Sequence, residues 1–172
     1  MKVRLVQLSP DAMRFLEAGD LAAANRAAGV PLSEFLAGEE CRWVWRIFVE
    51  KIEKDPEYAN WVVRAVVTDP GGVAVGHAGF HGPPDGDGVV EVGYTVDPAF
   101  RRQGYAKAII RALLARAADD PQVTRVRASI SPDNIASLAS IRGFGFVKVG
   151  EEWDENDGLE IVFETPARHA GS

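Results

Sequence analysis

Residues 2–8 set Val3, Leu5 and Gln7 against Arg4, Val6 and Leu8, an alternation that predicts a first strand. Ser9-Pro10 then supplies a helix cap followed by proline in the first turn. Short helices follow over 11–18, closed by Gly19, and over 20–28, closed by Gly29, with one further turn at 32–37. The next long helix covers 39–54. Trp43, Val44, Ile47 and Phe48 recur there at helical spacing and predict its buried stripe, while Trp45 lies off it, toward a partner or a cleft. Valine-rich 61–68 and 73–80 read as strands joined by Asp69-Pro70-Gly71-Gly72, where proline presets φ and glycine supplies positive φ. A loop at 81–88 leads into a third strand of this meander, 89–96.

The strongest helical pattern covers 103–118, where Ala106, Ile109, Ile110, Leu113, Leu114 and Ala117 make one apolar stripe. Residues 123–130 form a strand with Val126, Ala128 and Ile130 on one face. A helix over 133–142, a strand over 144–150, an acidic loop at 151–158, a last strand over 159–164 and a frayed tail at 165–172 complete the chain. This order predicts an α/β (α+β) fold: a mixed, largely antiparallel sheet of about seven strands with helices on both faces. Residues 89–130 supply the parallel crossover. No repeat or linker interrupts the chain, which reads as a single domain over 1–172.

Composition narrows the function. The 172 residues are 47% hydrophobic and carry a net charge of −6, which suits one globular domain and argues against a general nucleic-acid binder. The same field attracts a cationic substrate. No apolar run is long enough for a bilayer, and 1–5 lack the apolar core of a signal peptide, so no membrane partner and a cytoplasmic location are expected. Cys41, the single cysteine, reads as a buried small hydrophobe. His77 and His81 lack metal-ligand spacing, so no metal is expected.

The chemistry concentrates at 96–106. A strand there gives way to Arg101-Arg102-Gln103-Gly104-Tyr105-Ala106 and then to the strongest helix. A helix start leaves backbone N–H groups without partners, at the positive end of the dipole, and so suits an anion. Gly104 lets a bulky anion touch the backbone, and Arg101 and Arg102 add charge for phosphate oxygens. An ordinary connection with two solvated arginines fits the stretch equally well. Neither G-x-x-x-x-G-K-[ST] nor G-x-G-x-x-G is present.

A second block, Ser131-Pro132-Asp133-Asn134-Ile135-Ala136-Ser137 followed by Gly145-Phe146, lies one strand and one helix further on. The two blocks, in this order and on these elements, resemble the GNAT superfamily of N-acetyltransferases. The first fits its coenzyme A pattern [QR]-x-x-G-x-[GA], and the resemblance covers roughly 61–164. The Pro-Asp-Asn-x-x-Ser form is most similar to the branch that acetylates ribosomal-protein N-termini.

The resemblance implies a fold with a V-shaped splay between the fourth and fifth strands, and acetyl-CoA as co-substrate. It implies a pyrophosphate on the amides of Arg102–Ala106, with Val96, Gln103, Tyr105 and Asn134 also against the coenzyme and Lys107 approaching the adenosine phosphate. The pantetheine would pair with 90–96, helped by a bulge at Gly93. A backbone N–H near 92–94 would polarise the thioester carbonyl. Glu91 is the implied general base, with a pKa raised by burial. The acid often used in the family is a tyrosine where this chain has Ile141, so Ser137 or Ser140 would substitute. Trp45, His81 and Trp153, with Glu152 and Asp154, would shape the acceptor site. The implied reaction is transfer to a primary amine of a small molecule or a protein N-terminus by a monomer or homodimer. A non-catalytic acyl-CoA sensor of the same fold is the alternative.

Overall fold

The structure, a computed structural model, describes residues 1–168. Residues 169–172 of the tail expected to fray lie outside the described residues. The chain runs β1 (Val3–Val6), α1 (Pro10–Glu17), α2 (Leu21–Ala28), α3 (Glu39–Lys54), β2 (Arg64–Thr68), β3 (Ala74–Phe80), β4 (Val89–Val96), α4 (Tyr105–Ala118), β5 (Arg125–Ile130), α5 (Ile135–Ser140), β6 (Val147–Asp154) and β7 (Gly158–Pro166). These strands form a seven-stranded sheet in the order β1-β2-β3-β4-β5-β7-β6. Its β4–β5 pair is parallel and its other pairs are antiparallel. The α/β architecture expected from the pattern is therefore present. Among the described residues no helix is long and apolar enough to cross a membrane.

The two faces of the sheet bury different helices. Ile109, Ile110 and Leu113 of α4 pack on Val90, Val92 and Val126. On the other face α1, α2 and α3 pack Leu16, Val44 and Trp45 over Ala65 and Val67. Strand alternation separates the faces: Val90 and Val92 look toward α4, so Glu91 and Gly93 look toward the α3 side.

Three expectations fail for identifiable reasons. In α3 the buried side runs Cys41, Val44, Trp45, Val49 and Ile52. Two residues apart on a helix are about 200° apart, so only one of Trp43 and Trp45 can face the core. Trp45 is fully buried and Trp43 is 55% exposed. The indole N–H of Trp45 donates to the Leu36 carbonyl at 2.7 Å, and its ring meets His77 edge-on at 5.7 Å. Trp45 is thus a core residue, away from any acceptor.

The acidic loop expected at 151–158 is mostly strand. β6 runs to Asp154 and turns back within three residues, pairing Glu152 with Glu160 and Trp153 with Leu159. An edge strand exposed to water tolerates this charge, and β7 supplies its backbone partners. The tail is also ordered further than expected: β7 runs to Pro166, and Ala167 N–H donates to Thr124 O at 2.9 Å.

His77 of β3 is buried with Trp45, and burial pushes its imidazole down to about 4. The neutral ring folds and the unfolded ring, titrating near about 6.5, binds a proton more readily. Stability is complete above the unfolded value and falls as pH drops from there toward 4, by roughly 3 kcal/mol in all. Urea midpoints between pH 7 and 4 should show this slope, and His77→Phe should reduce it. Cys41 is buried as expected, which pushes its thiol up to about 11.

Candidate active site

β4 and β5 part company halfway along. Their ladder holds only Val89↔Arg125, Val90↔Val126 and Glu91↔Arg127. Beyond it, β4 stays paired with β3 as far as Val96, whereas Ala128–Ile130 of β5 pair with β7. A slit opens between them. His81 N–H donates to Glu91 O at 2.9 Å and Asp97 N–H to Val75 O at 2.8 Å, so odd-numbered residues of β4 bond to β3. Alternation in an antiparallel ladder then turns the N–H groups of Tyr94 and Val96 into the slit. The bulge expected at Gly93 is absent, because Gly93 pairs in register with Gly79.

At the end of β4, buried Asp97 accepts from Ala99 N–H at 2.9 Å and starts a 3₁₀ turn over Pro98–Phe100. Arg101 Nε donates to Val96 O at 3.0 Å and Gln103 Nε2 to Ala99 O at 3.3 Å, which binds the loop to itself. Arg102 (φ 61°) and Gly104 (φ 88°) take left-handed conformations. These two residues delay α4 to Tyr105, two positions later than its periodicity predicts. Among the described residues no side chain caps α4, and its first turn holds no acid. The first helical bond is Ala108 N–H to Gly104 O at 3.3 Å, which leaves the amides of Tyr105, Ala106 and Lys107 facing out of the helix start.

These amides open into a cleft of about 660 Å³ continuous with the slit. Val96, Arg101, Arg102, Gly104, Tyr105 and Ala106 line one wall, as the motif predicts, and Asn134 and Ser137 line the other. Gln103 does not line it. Lys107 reaches the cleft, but its ammonium donates to the Ala139 and Arg142 carbonyls at 3.1 Å each, tying α4 to the end of α5. Two of its three ammonium hydrogens are thereby engaged.

Asn134 caps α5, its Oδ1 accepting from Ser137 N–H at 3.1 Å. Ser140 is buried and donates to the Ser137 carbonyl at 2.7 Å. Its single hydrogen is thereby used, so the Tyr94 hydroxyl donates to Ser140 Oγ. Ile141 is buried in the core. Tyr94 stands on β4 and lines the cleft. Sequence reasoning used only the backbone of Tyr94. An aromatic residue at the end of an alternating strand was the one available signal.

On the α3 side, Glu91 accepts from His81 Nδ1 at 3.0 Å and from Ser129 Oγ at 2.5 Å. Ser129 Oγ also lies 3.1 Å from Glu152. Burial pushes the Glu91 carboxyl up, but the hydrogen bonds from His81 and Ser129, with the charges of His81 and Arg127, outweigh it. The net shift is downward, opposite to the expectation. Arg127 is itself bound by buried Glu164 at 2.7 Å. His81 and Glu152 thus join Glu91, whereas Trp153 does not. It neighbours Glu152 on a strand, so it points to the other face, where it is 76% exposed.

A GNAT acetyltransferase domain model matches residues 2–147 of the chain. The chain belongs to the GNAT acetyltransferase family. Over 73 residues it is 33% identical to the uncharacterized N-acetyltransferase YjdG of Bacillus subtilis (strain 168), a match spanning 42% of this chain and 44% of that protein. The GNAT fold is also that of RimL, a ribosomal L7/L12 α-N-protein acetyltransferase solved with coenzyme A. The TM-score is 0.67 at 17% identity, over 99% of this chain and 97% of that one. The aminoglycoside acetyltransferase AAC(6')-Ib, solved with coenzyme A, superposes with a TM-score of 0.64 at 16% identity, over 96% of this chain and 94% of that one.

Proposed function

We propose that this GNAT protein is an acetyl-CoA-dependent N-acetyltransferase that passes the acetyl group directly to a primary amine. The observation that carries this reading is the slit between β4 and β5 leading to an uncapped helix start flanked by Arg101 and Arg102. The amides of Tyr105–Lys107 and these guanidinium groups suit a diphosphate. The free edge of β4 suits the pantetheine arm, and the Tyr94 N–H suits the thioester oxygen. The coenzyme A found with RimL and AAC(6')-Ib supports the same ligand here.

In this reading the hydroxyls that line the cleft beside the departing sulfur are those of Tyr94, Ser137 and Ser140. The opposite side of the slit carries Glu91, Glu152 and Glu160. Burial, with repulsion from Asp154, Asp157, Glu91 and Glu152, holds the Glu160 carboxyl above its ordinary range. That charge favours a cationic amine. A protein N-terminus, a polyamine and an aminoglycoside all meet this description.

Acetyl-CoA at 100 times its Kd should stabilise the protein by about 2.7 kcal/mol, read as a rise in melting temperature. Absence of any shift would sink the reading. Release of free thiol on adding spermidine, an aminoglycoside or short peptides should then identify the acceptor class. A shift without thiol release would favour the sensor, the role that Ile141 in place of tyrosine suggests.

A further inference from the structure

We propose that His81 takes the proton from the incoming amine, and that Glu91 is the positioning residue that aims it. The inference deepens the acetyl-transfer reading and rests on it.

The β3–β4 ladder continues one pair beyond β3. His81 N–H donates to Glu91 O, so the two residues stand directly opposite with side chains on one face. Glu91 Oε2 holds His81 Nδ1 and Glu91 Oε1 holds Ser129, so both carboxylate oxygens already have donors. An ionised carboxylate only accepts, so the proton of the neutral imidazole sits on Nδ1 and the lone pair on Nε2. Nε2 lies over Gly93: a Cβ added at that glycine would stand 2.9 Å from it. Gly93 is in register opposite Gly79 and does not take a left-handed φ, so the ring above it accounts for its missing side chain. The next residue is Tyr94, whose N–H turns into the slit. The basic nitrogen and the amide suited to the thioester oxygen therefore stand at consecutive residues of one strand. The His81 side chain is 53% exposed against 27% for Glu91, so the imidazole is the member of the pair that an acceptor meets.

Acidic groups surround the ring, with the nearby cations engaged elsewhere. Glu91 of β4 and, through Ser129, Glu152 of β6 supply negative charge. Arg127 of β5 is occupied by Glu164. Lys51 of α3 donates to the His81 carbonyl at 3.3 Å, and the Tyr58 ring lies against Gly82. The Glu91 carboxylate is held low and both its oxygens are engaged, whereas the imidazole Nε2 keeps an unshared lone pair on the exposed side of the pair.

The step balances as follows. R–NH3⁺ gives one proton to Nε2. The freed lone pair attacks the thioester carbon, the C–N bond forms, and collapse expels the C–S electron pair onto sulfur. The second nitrogen proton goes to the thiolate, and the imidazolium returns its proton to water. The products are the amide, coenzyme A thiol and one proton.

His81→Gln should lower kcat/KM by about 10²-fold or more and abolish the acid limb of its pH profile, while the acetyl-CoA thermal shift persists. Glu91→Gln should lose less and move that limb to lower pH, because the imidazolium loses its counter-charge. An acid limb unchanged in His81→Gln, with the wild type turning over, overturns this proposal alone. Wild type that binds acetyl-CoA but releases no thiol with any amine overturns the transfer reading as well. Nitrogen-15 NMR of the imidazole in the acceptor-free protein should give the Nδ1–H tautomer, and the Nε2–H tautomer would overturn the arrangement whatever the turnover.

Discussion

Trp45→Ala is expected to cost about 3–5 kcal/mol of folding stability, read from urea denaturation. The indole is fully buried among α1, α2 and α3, so truncation leaves a cavity in addition to the lost transfer energy. It also strips the Leu36 carbonyl of its donor and removes the ring that seals His77. Water reaching His77 should raise that imidazole toward its ordinary value and flatten the acid slope in the same experiment. Trp43→Ala, two positions away and 55% exposed, should change stability by no more than about 0.5 kcal/mol. Equal losses for the two tryptophans would contradict the packing of α3.

Gly104→Val is expected to weaken acetyl-CoA binding by at least about tenfold, beyond its effect on folding. At φ 88° a β-branched side chain carries a backbone strain of about 1–2 kcal/mol. The fold has room for it, because the nearest atom to an added Cβ is Met1 Sδ at 3.7 Å. The loss in binding should come instead from a side chain at the mouth of the amides of Tyr105–Lys107. Gly29→Val is the control: Gly29 has φ 69°, open space around it, and lies at the end of α2. Isothermal titration of both variants at a temperature where both are folded separates the effects. Comparable loss of affinity in the two would make Gly104 a folding residue only.

The helix start and its arginines were legible because the required groups are consecutive in sequence: glycine, small residue and guanidinium fall within six positions. Asn134 and Ser137 were legible through the Pro-Asp-Asn-x-x-Ser resemblance, and Asn134 makes the local bond as well as lining the cleft. The acceptor side was read less well. The resemblance points to Glu91, but its carboxyl is held low and not raised, because the bonds that lower it come from ten and 38 residues away. Trp45 and Trp153 were misplaced for a simpler reason. A one-dimensional stripe does not say which of two tryptophans a core will accept, or which face of an edge strand meets a cleft.

The sequence by itself determined the number and order of the strands and the glycine-and-arginine turn before α4, since each depends on neighbours within one element. Only the tertiary structure decided how the slit is lined. The parting of β4 from β5, the Tyr94 hydroxyl on Ser140 and the imidazole over Gly93 all depend on register between strands distant in the chain. A shift of one residue in that register would turn every one of those side chains to the opposite face.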